Sequence, residues 1–360
     1  MVRFRFPEGV AAALAGGLSL FLSAATACAG EQADFTVLTN DLRTGLASVR
    51  VRLPSLADGA RWYERATGAL LDGGRTCVRT FRAGESPAWL RGGAIVPMRS
   101  DGASNPASGK GRGIVFLVAP GGDGGSAALD EEAGGTDGGD GRKARPTVSW
   151  AFGAPAENGS RTMRIEVSPR PDASPAKPLA YDYEFRLLSR LPAKSVEVNG
   201  RRRPYDRVEA EDAWSYDGRT QTIVVRAVDQ APDRPCTVEV TFTAETLALE
   251  PRLDGLKGAF ARLEALASEA KRGDARVKSP SLWPLIASLS AAAGGLTDRP
   301  REAARILDEW DAGLAALEAA VPRLREEGVG DDTLARLAAI GAAPGAASSE
   351  NTPLSRRGDL

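Results

Sequence analysis

The chain has 360 residues, 46 basic and 47 acidic side chains, a formal net charge of −1 and no histidine. That length allows two or three separate cores, and the near-zero charge gives no global field to attract nucleic acid or an anionic membrane. The missing histidine excludes Ser-His and Cys-His nucleophile pairs, imidazole acid–base catalysis and His-bearing metal sites, so any chemistry falls to carboxylates, Lys, Tyr, Ser or Cys.

Residues 1–30 have Arg3 and Arg5, an apolar run from Val10 to Ala27 and small residues around Cys28. This is the layout of a secretory signal, with Ala25-Thr26-Ala27-Cys28 passing for a lipoprotein cleavage box. It implies a secreted, periplasmic or envelope protein, lipid-anchored at Cys28 in the second case. No later stretch is apolar enough to span a bilayer, which needs about 20 such residues.

Strands and turns follow from residue 33. Val51-Arg52-Leu53-Pro54, then Gly59 ahead of Trp62-Tyr63, then Thr67-Gly68 and Asp72-Gly73-Gly74, then Thr76 to Phe81 and Trp89 to Met98, read as short strands joined by tight turns. A proximal β-domain is expected over 33–100. Residues 101–112, DGASNPASGKGR, read as a flexible linker.

A distal β-sandwich is expected over 113–246. Its first strand, Ile114 to Val118, is continuously apolar. An acidic, glycine-rich loop occupies 119–141, where Asp123, Asp130, Glu131, Glu132, Asp137 and Asp140 prompt a comparison with calcium loops. The spacing fits neither an EF-hand nor a nonapeptide repeat, so a solvated loop is expected, with no metal and no cofactor. From Thr147 to Thr243 period-two alternation recurs, with Asn199-Gly200 and Asp217-Gly218 as hairpin signals. Cys77 and Cys236 can bridge in an oxidising compartment, but two small buried residues within strands is the simpler expectation.

Near Glu245 the period changes to three and four. Leu253 to Leu266, Leu282 to Leu289, Ile306 to Leu324 and Leu334 to Ile340 give four amphipathic helices over 247–341, with Pro322 expected to kink or split the third. Residues 342–360 are small and polar and read as a disordered tail. The whole is mainly β: two consecutive antiparallel β-sandwich-like domains followed by a small C-terminal α-helical bundle.

Residues 51–98 also resemble a known family. The order V-x-L-P, W-Y, T-G, G-G-x-T and R-G-G-A-I-V-P-M is similar to the small β-domain that follows the catalytic barrel in glycoside hydrolase family 31, the α-glucosidase and α-xylosidase family. The likeness continues more weakly to Glu245, where Leu129-Asp130-Glu131-Glu132-Ala133-Gly134 stands in the place of L-Y-E-D-D-G without its Tyr and second Asp. Phe6 to Ser23 is similar to the barrel segment leading to the family's acid/base aspartate. On that alternative, residues 1–30 are a barrel remnant and the chain is cytoplasmic.

The family's retaining mechanism needs two carboxylates about 5 Å apart on a barrel of about 250 residues. Neither its nucleophile motif nor D-I-G-G occurs here, so no catalytic residue is assigned. The resemblance implies a non-catalytic accessory or structural protein, carbohydrate-associated. The alternative is a fragment or subunit of an α-glucosidase or α-xylosidase, active only with a barrel supplied elsewhere. Sugar contacts are expected, if anywhere, at Trp62, Tyr63, Trp89 and Trp214, with Trp150 and Tyr216 as further aromatics that stack on an α-glycan or fill a core. Partners would be a separate catalytic barrel or a second copy meeting helices 299–328, with no nucleic acid.

Overall fold

A computed structural model describes residues 33–42, 44–82, 85–100, 113–129, 146–169, 180–207, 210–272 and 279–341. These form seventeen strands followed by five α-helices. The expected signal, the 101–112 linker, residues 130–141 of the acidic loop and the 342–360 tail lie outside the described residues.

Six strands open the fold: β1 (Asp34–Asp41), β2 (Leu46–Arg52), β3 (Arg61–Glu64), β4 (Leu70–Asp72), β5 (Thr76–Arg82) and β6 (Trp89–Arg91). They make two three-stranded sheets, β1-β2-β5 and β4-β3-β6, joined by a small core of Val49, Val51, Leu53, Trp62, Leu71, Phe81 and Trp89.

The next eleven strands form the larger sandwich. They are β7 (Ile95–Arg99), β8 (Gly113–Val118), β9 (Gly124–Ala128), β10 (Thr147–Phe152), β11 (Arg161–Val167), β12 (Tyr181–Leu187), β13 (Ser195–Val198), β14 (Arg201–Arg203), β15 (Trp214–Asp217), β16 (Thr222–Gln230) and β17 (Cys236–Phe242). A five-stranded sheet, β15-β16-β12-β8-β7, shares a core with a six-stranded one, β14-β13-β17-β11-β10-β9. Pairing is antiparallel throughout except between β8 and β12, which run parallel.

The small sheets and the large ones stack on each other, and strand alternation explains how. In β3, Trp62 enters the small core, while Tyr63 turns to the opposite side and packs with Val115 and Leu117 of β8. In β8, Phe116 and Val118 face the sandwich and Val115 and Leu117 face β3 and β6. A strand covered on both faces has no place for a polar residue, which accounts for the unbroken apolar run Ile114 to Val118.

The helices are α1 (Ala244–Leu249), α2 (Leu256–Lys271), α3 (Leu282–Asp298), α4 (Ala303–Glu326) and α5 (Asp331–Gly341). The first is capped by Thr243, whose hydroxyl accepts the Thr246 amide at 3.1 Å. Their apolar faces are continuous with the sandwich core; Ile306, Leu307, Trp310, Leu317 and Leu324 of α4 are all buried within the chain, Trp310 edge-on to Phe260 of α2 at 4.7 Å. The apolar face of α4 is therefore packed against the rest of the chain.

Helix α2 also reaches the small sheets. The Gly258 amide donates to the Thr67 carbonyl at 2.8 Å, Lys257 Nζ to the Arg65 carbonyl at 2.7 Å, and the Leu70 amide to Asp254 Oδ1 at 2.8 Å. Arg262 donates to the Thr80 carbonyl at 2.6 Å, to the Ala339 carbonyl at 2.8 Å and to the buried Glu85.

Several expectations need correction. The segment 101–112 joins β7 to β8, which are hydrogen-bonded neighbours in one sheet, so β7 belongs to the larger sandwich rather than to a domain ending at residue 100. Part of the acidic loop is a strand: Gly124–Ala128 pairs with β10 although it has no β-branched or aromatic residue. Its side of the sheet packs so tightly that a Cβ on Gly125 would lie 1.9 Å from the Gly93 carbonyl oxygen. Pro322 neither splits nor ends α4, because it stands exposed in the last turns, where the carbonyl it leaves without a donor faces water. Cys77 and Cys236 are both free, in line with the simpler expectation for them, Cys236 buried in the larger core and Cys77 half-buried against the smaller one.

Candidate functional site

The aromatic residues singled out from the sequence do not gather at one site. Trp62 is buried with its indole N–H donating to the Pro54 carbonyl at 2.8 Å. Trp89 is buried edge-on to Phe81, its indole donating to Glu64 Oε1 at 3.2 Å. Tyr63 is buried on the opposite side of β3, and burial pushes its phenol above the ordinary range, with Arg65 pulling the other way. Trp150 donates to the Gly93 carbonyl at 2.8 Å, and Tyr216 is buried with its hydroxyl unpartnered among the described residues. Each of these rings is covered by protein.

Trp214 is the exception in position. It is itself only 6% exposed, but its ring lies 4.8 Å from that of Tyr205, which is 37% exposed. Together they border a cleft of 540 Å³ between the β13–β14 hairpin, the start of β15, α1 and the start of α4. The hairpin exists because Asn199 and Gly200 both take positive φ, 51° and 71°, as a tight two-residue turn requires. It is followed by Arg201-Arg202-Arg203-Pro204-Tyr205, in which Pro204 ends the strand and Tyr205 forms a single parallel bridge to Trp214.

The wall of the cleft is cationic. Lys194, Arg202, Arg203 and Arg301 line it against one carboxylate, Glu245. Among the described residues no carboxylate lies within ion-pair distance of Lys194, Arg202 or Arg301. Arg203 is anchored by Nη1 to Asp212 Oδ1 at 2.5 Å, while its Nε is buried without a hydrogen-bond partner among the described residues. Burial raises the Tyr205 phenol above its ordinary value, and the positive charges of Arg207 and Arg301 moderate the shift.

Behind the cleft, Glu250 is buried and its carboxyl is raised by burial, against the pull of Arg190, which meets its Oε2 at 2.5 Å. The chemistry available here is recognition: a half-exposed aromatic ring, hydroxyls from Ser195, Thr243 and Thr246, and guanidinium groups. One carboxylate among the lining residues does not make the pair a retaining glycosidase needs.

Sequence reasoning found Trp214 but missed Tyr205 and the cations. The run of three arginines before Pro204-Tyr205, directly after a hairpin turn, was the available signal. Arg301, which reaches the cleft from nearly a hundred residues further along, left none.

No family model matches the sequence, and no curated protein matches it significantly. Solved structures do resemble it. The glycoside hydrolase family 31 dextranase of Flavobacterium johnsoniae, complexed with glucose, aligns at 16% identity and a TM-score of 0.42, over 57% of this chain and 25% of the enzyme. The α-1,4-glucan lyase of Gracilariopsis lemaneiformis aligns at 18% identity and 0.39, over 53% and 20%. The family 31 α-xylosidase of Xanthomonas citri aligns at 18% and 0.31, over 53% and 17%. The chain thus spans about a quarter or less of the length of these enzymes.

Proposed function

We propose that the chain is a non-catalytic accessory or structural β-protein of the kind that flanks the barrel in family 31 glycoside hydrolases, associated with carbohydrate through the cleft at Tyr205 and Trp214. The observation that supports this reading most directly is the use made of the polar groups in the 51–98 stretch. Its buried acid, Glu64, accepts from Thr67, from Arg79 at 2.7 and 3.2 Å and from Trp89 at 3.2 Å. A carboxylate fixed by four donors under a closed core is a structural keystone, unable to approach a glycosidic bond. Export to the cell envelope or beyond belongs to the same reading and rests on residues 1–30.

The test is hydrolysis of aryl α-glucoside and α-xyloside by the purified chain beside a mock preparation. No turnover above the mock is expected; turnover that co-purifies with the chain would overturn the non-catalytic reading.

A further inference from the structure

We propose that the cleft at Tyr205 takes an acidic pyranoside, its ring against Tyr205 and its carboxylate on the guanidinium of Arg203. This rests on the carbohydrate-associated reading above and assigns the ligand a charge.

Three observations converge. The cleft, at 540 Å³, falls among the sizes typical of small-ligand sites, about 300–1,000 Å³. Tyr205 is backed by Trp214, so one stiff aromatic surface is held in place by another, and its 37% exposure leaves ring area for the apolar face of a sugar. The charge on the wall is four cations to one anion, and three of those cations have no carboxylate within ion-pair distance among the described residues.

Arg203 gives the most specific indication. Asp212 holds one terminal nitrogen of Arg203 and so fixes its guanidinium at the cleft wall, while its Nε is buried without a hydrogen-bond partner among the described residues. A guanidinium offers donors in a planar fork that fits a carboxylate, and one already fixed by an ion pair loses little freedom on meeting it. The hydroxyls of Ser195, Thr243 and Thr246 add the neutral donors and acceptors that a polyol uses and a bare anion does not. A neutral sugar would leave the cations without counter-charge, and a small inorganic anion would leave the aromatic pair unused.

The experiment is isothermal titration of the full chain with trigalacturonate, at low and high salt. Maltotriose serves as a neutral comparison, and glucose 6-sulfate and AMP as anions of other classes. Trigalacturonate is expected to bind about tenfold or more tighter than maltotriose, and to weaken as salt rises. Tyr205→Ala, Arg203→Gln and Arg202→Gln should each weaken it by about tenfold, without moving the unfolding midpoint for the two exposed positions, 202 and 205.

Equal binding of trigalacturonate and maltotriose would overturn the acidic ligand and leave the carbohydrate reading standing. Binding of neither would remove both. Tighter binding of AMP or of the sulfate ester would show a nucleotide or general anion site and overturn the proposal. Binding of trigalacturonate unaffected by the Tyr205 and Arg202 variants would place the site elsewhere and overturn it as well.

Discussion

Replacing Glu64 should expose how much of this fold depends on one buried ion pair. Glu64 is fully buried in β3, and Arg79, 8% exposed in β5, reaches it across the two small sheets through both Nε and Nη2. Burial alone would lower the Arg79 pKa, but the hydrogen bond and charge of Glu64 hold it above its ordinary value. Glu64→Ala leaves that desolvated guanidinium with the Thr67 hydroxyl at 3.3 Å and the charge of Asp254, and removes the acceptor for Trp89. Breaking a buried pair from one side costs about 3–5 kcal/mol. With a urea m-value of about 3 kcal/mol/M, the unfolding midpoint should fall by about 1 M or more. Glu64→Gln keeps an acceptor for Trp89 but not the charge, and should cost about 1.5–3 kcal/mol. The double variant Glu64→Leu with Arg79→Met removes both charges together and should recover most of the loss, because the penalty lies in the uncompensated ion. Urea unfolding of the four proteins, followed by tryptophan fluorescence, measures this directly. A loss below about 1 kcal/mol in Glu64→Ala, or a double variant no better than the single, would refute the assignment.

Gly218→Ala should destabilise by about 1–3 kcal/mol or more, since its Cβ would lie 2.4 Å from backbone atoms of both Leu296 and Thr297 in α3. Faster amide exchange around Leu296 in that variant would locate the damage, and unchanged thermal unfolding would contradict the contact. Burial raises the Asp254 carboxyl, opposed by the Leu70 amide, Arg61 and Arg79 and reinforced by Glu64. Between the ordinary aspartate value and the raised one the native state holds more protons than the unfolded state, so this group's contribution falls as pH rises through that window. Asp254→Asn should therefore gain on the wild type in urea midpoint as pH rises above the ordinary aspartate value of about 4, and parallel curves would rule this out. The Cys236 thiol is pushed up to about 12 by burial. Mass-spectrometric mapping after iodoacetamide at about pH 8 should find it unmodified in the native chain and modified in urea, and rapid native labelling would show that β17 opens.

The sequence made the class of fold legible where residue patterns are local. Alternation marked β10, β11, β16 and β17, the change of period near Glu245 falls at the Thr243 cap of α1, and Asn199-Gly200 makes the turn it announces. What escaped was set by distant partners. Gly124–Ala128 is a strand because β10 supplies its hydrogen bonds, not because its own residues favour one. The span 101–112 looked like a boundary by composition, whereas the pairing of Ile95 with Val118 makes it a connection within one sheet. Of the site, Trp214 was visible as an aromatic residue, but its relation to Tyr205, Arg203 and Arg301 is a product of assembly.

The stretch that resembles the family and the cleft that suggests a ligand are built from different parts of the chain. The buried positions within 51–98 each meet another part of the chain: Trp62 and Glu64 the small core, Tyr63 and Leu90 β8, Thr67 α2, Leu70 the Asp254 carboxylate ahead of α2, and Gly93 Trp150. Such residues are held by packing, and a change in any one must be answered by its neighbours. The cleft is drawn from residues 191–205, Trp214, residues 243–249 and residues 300–304, several of them exposed. Packing constrains the first set throughout, and the second only at positions such as Leu191 and Trp214. A signature of the first kind therefore transmits architecture, while the site proposed for an acidic sugar draws on Arg202, Arg203, Tyr205 and Arg301, outside that stretch.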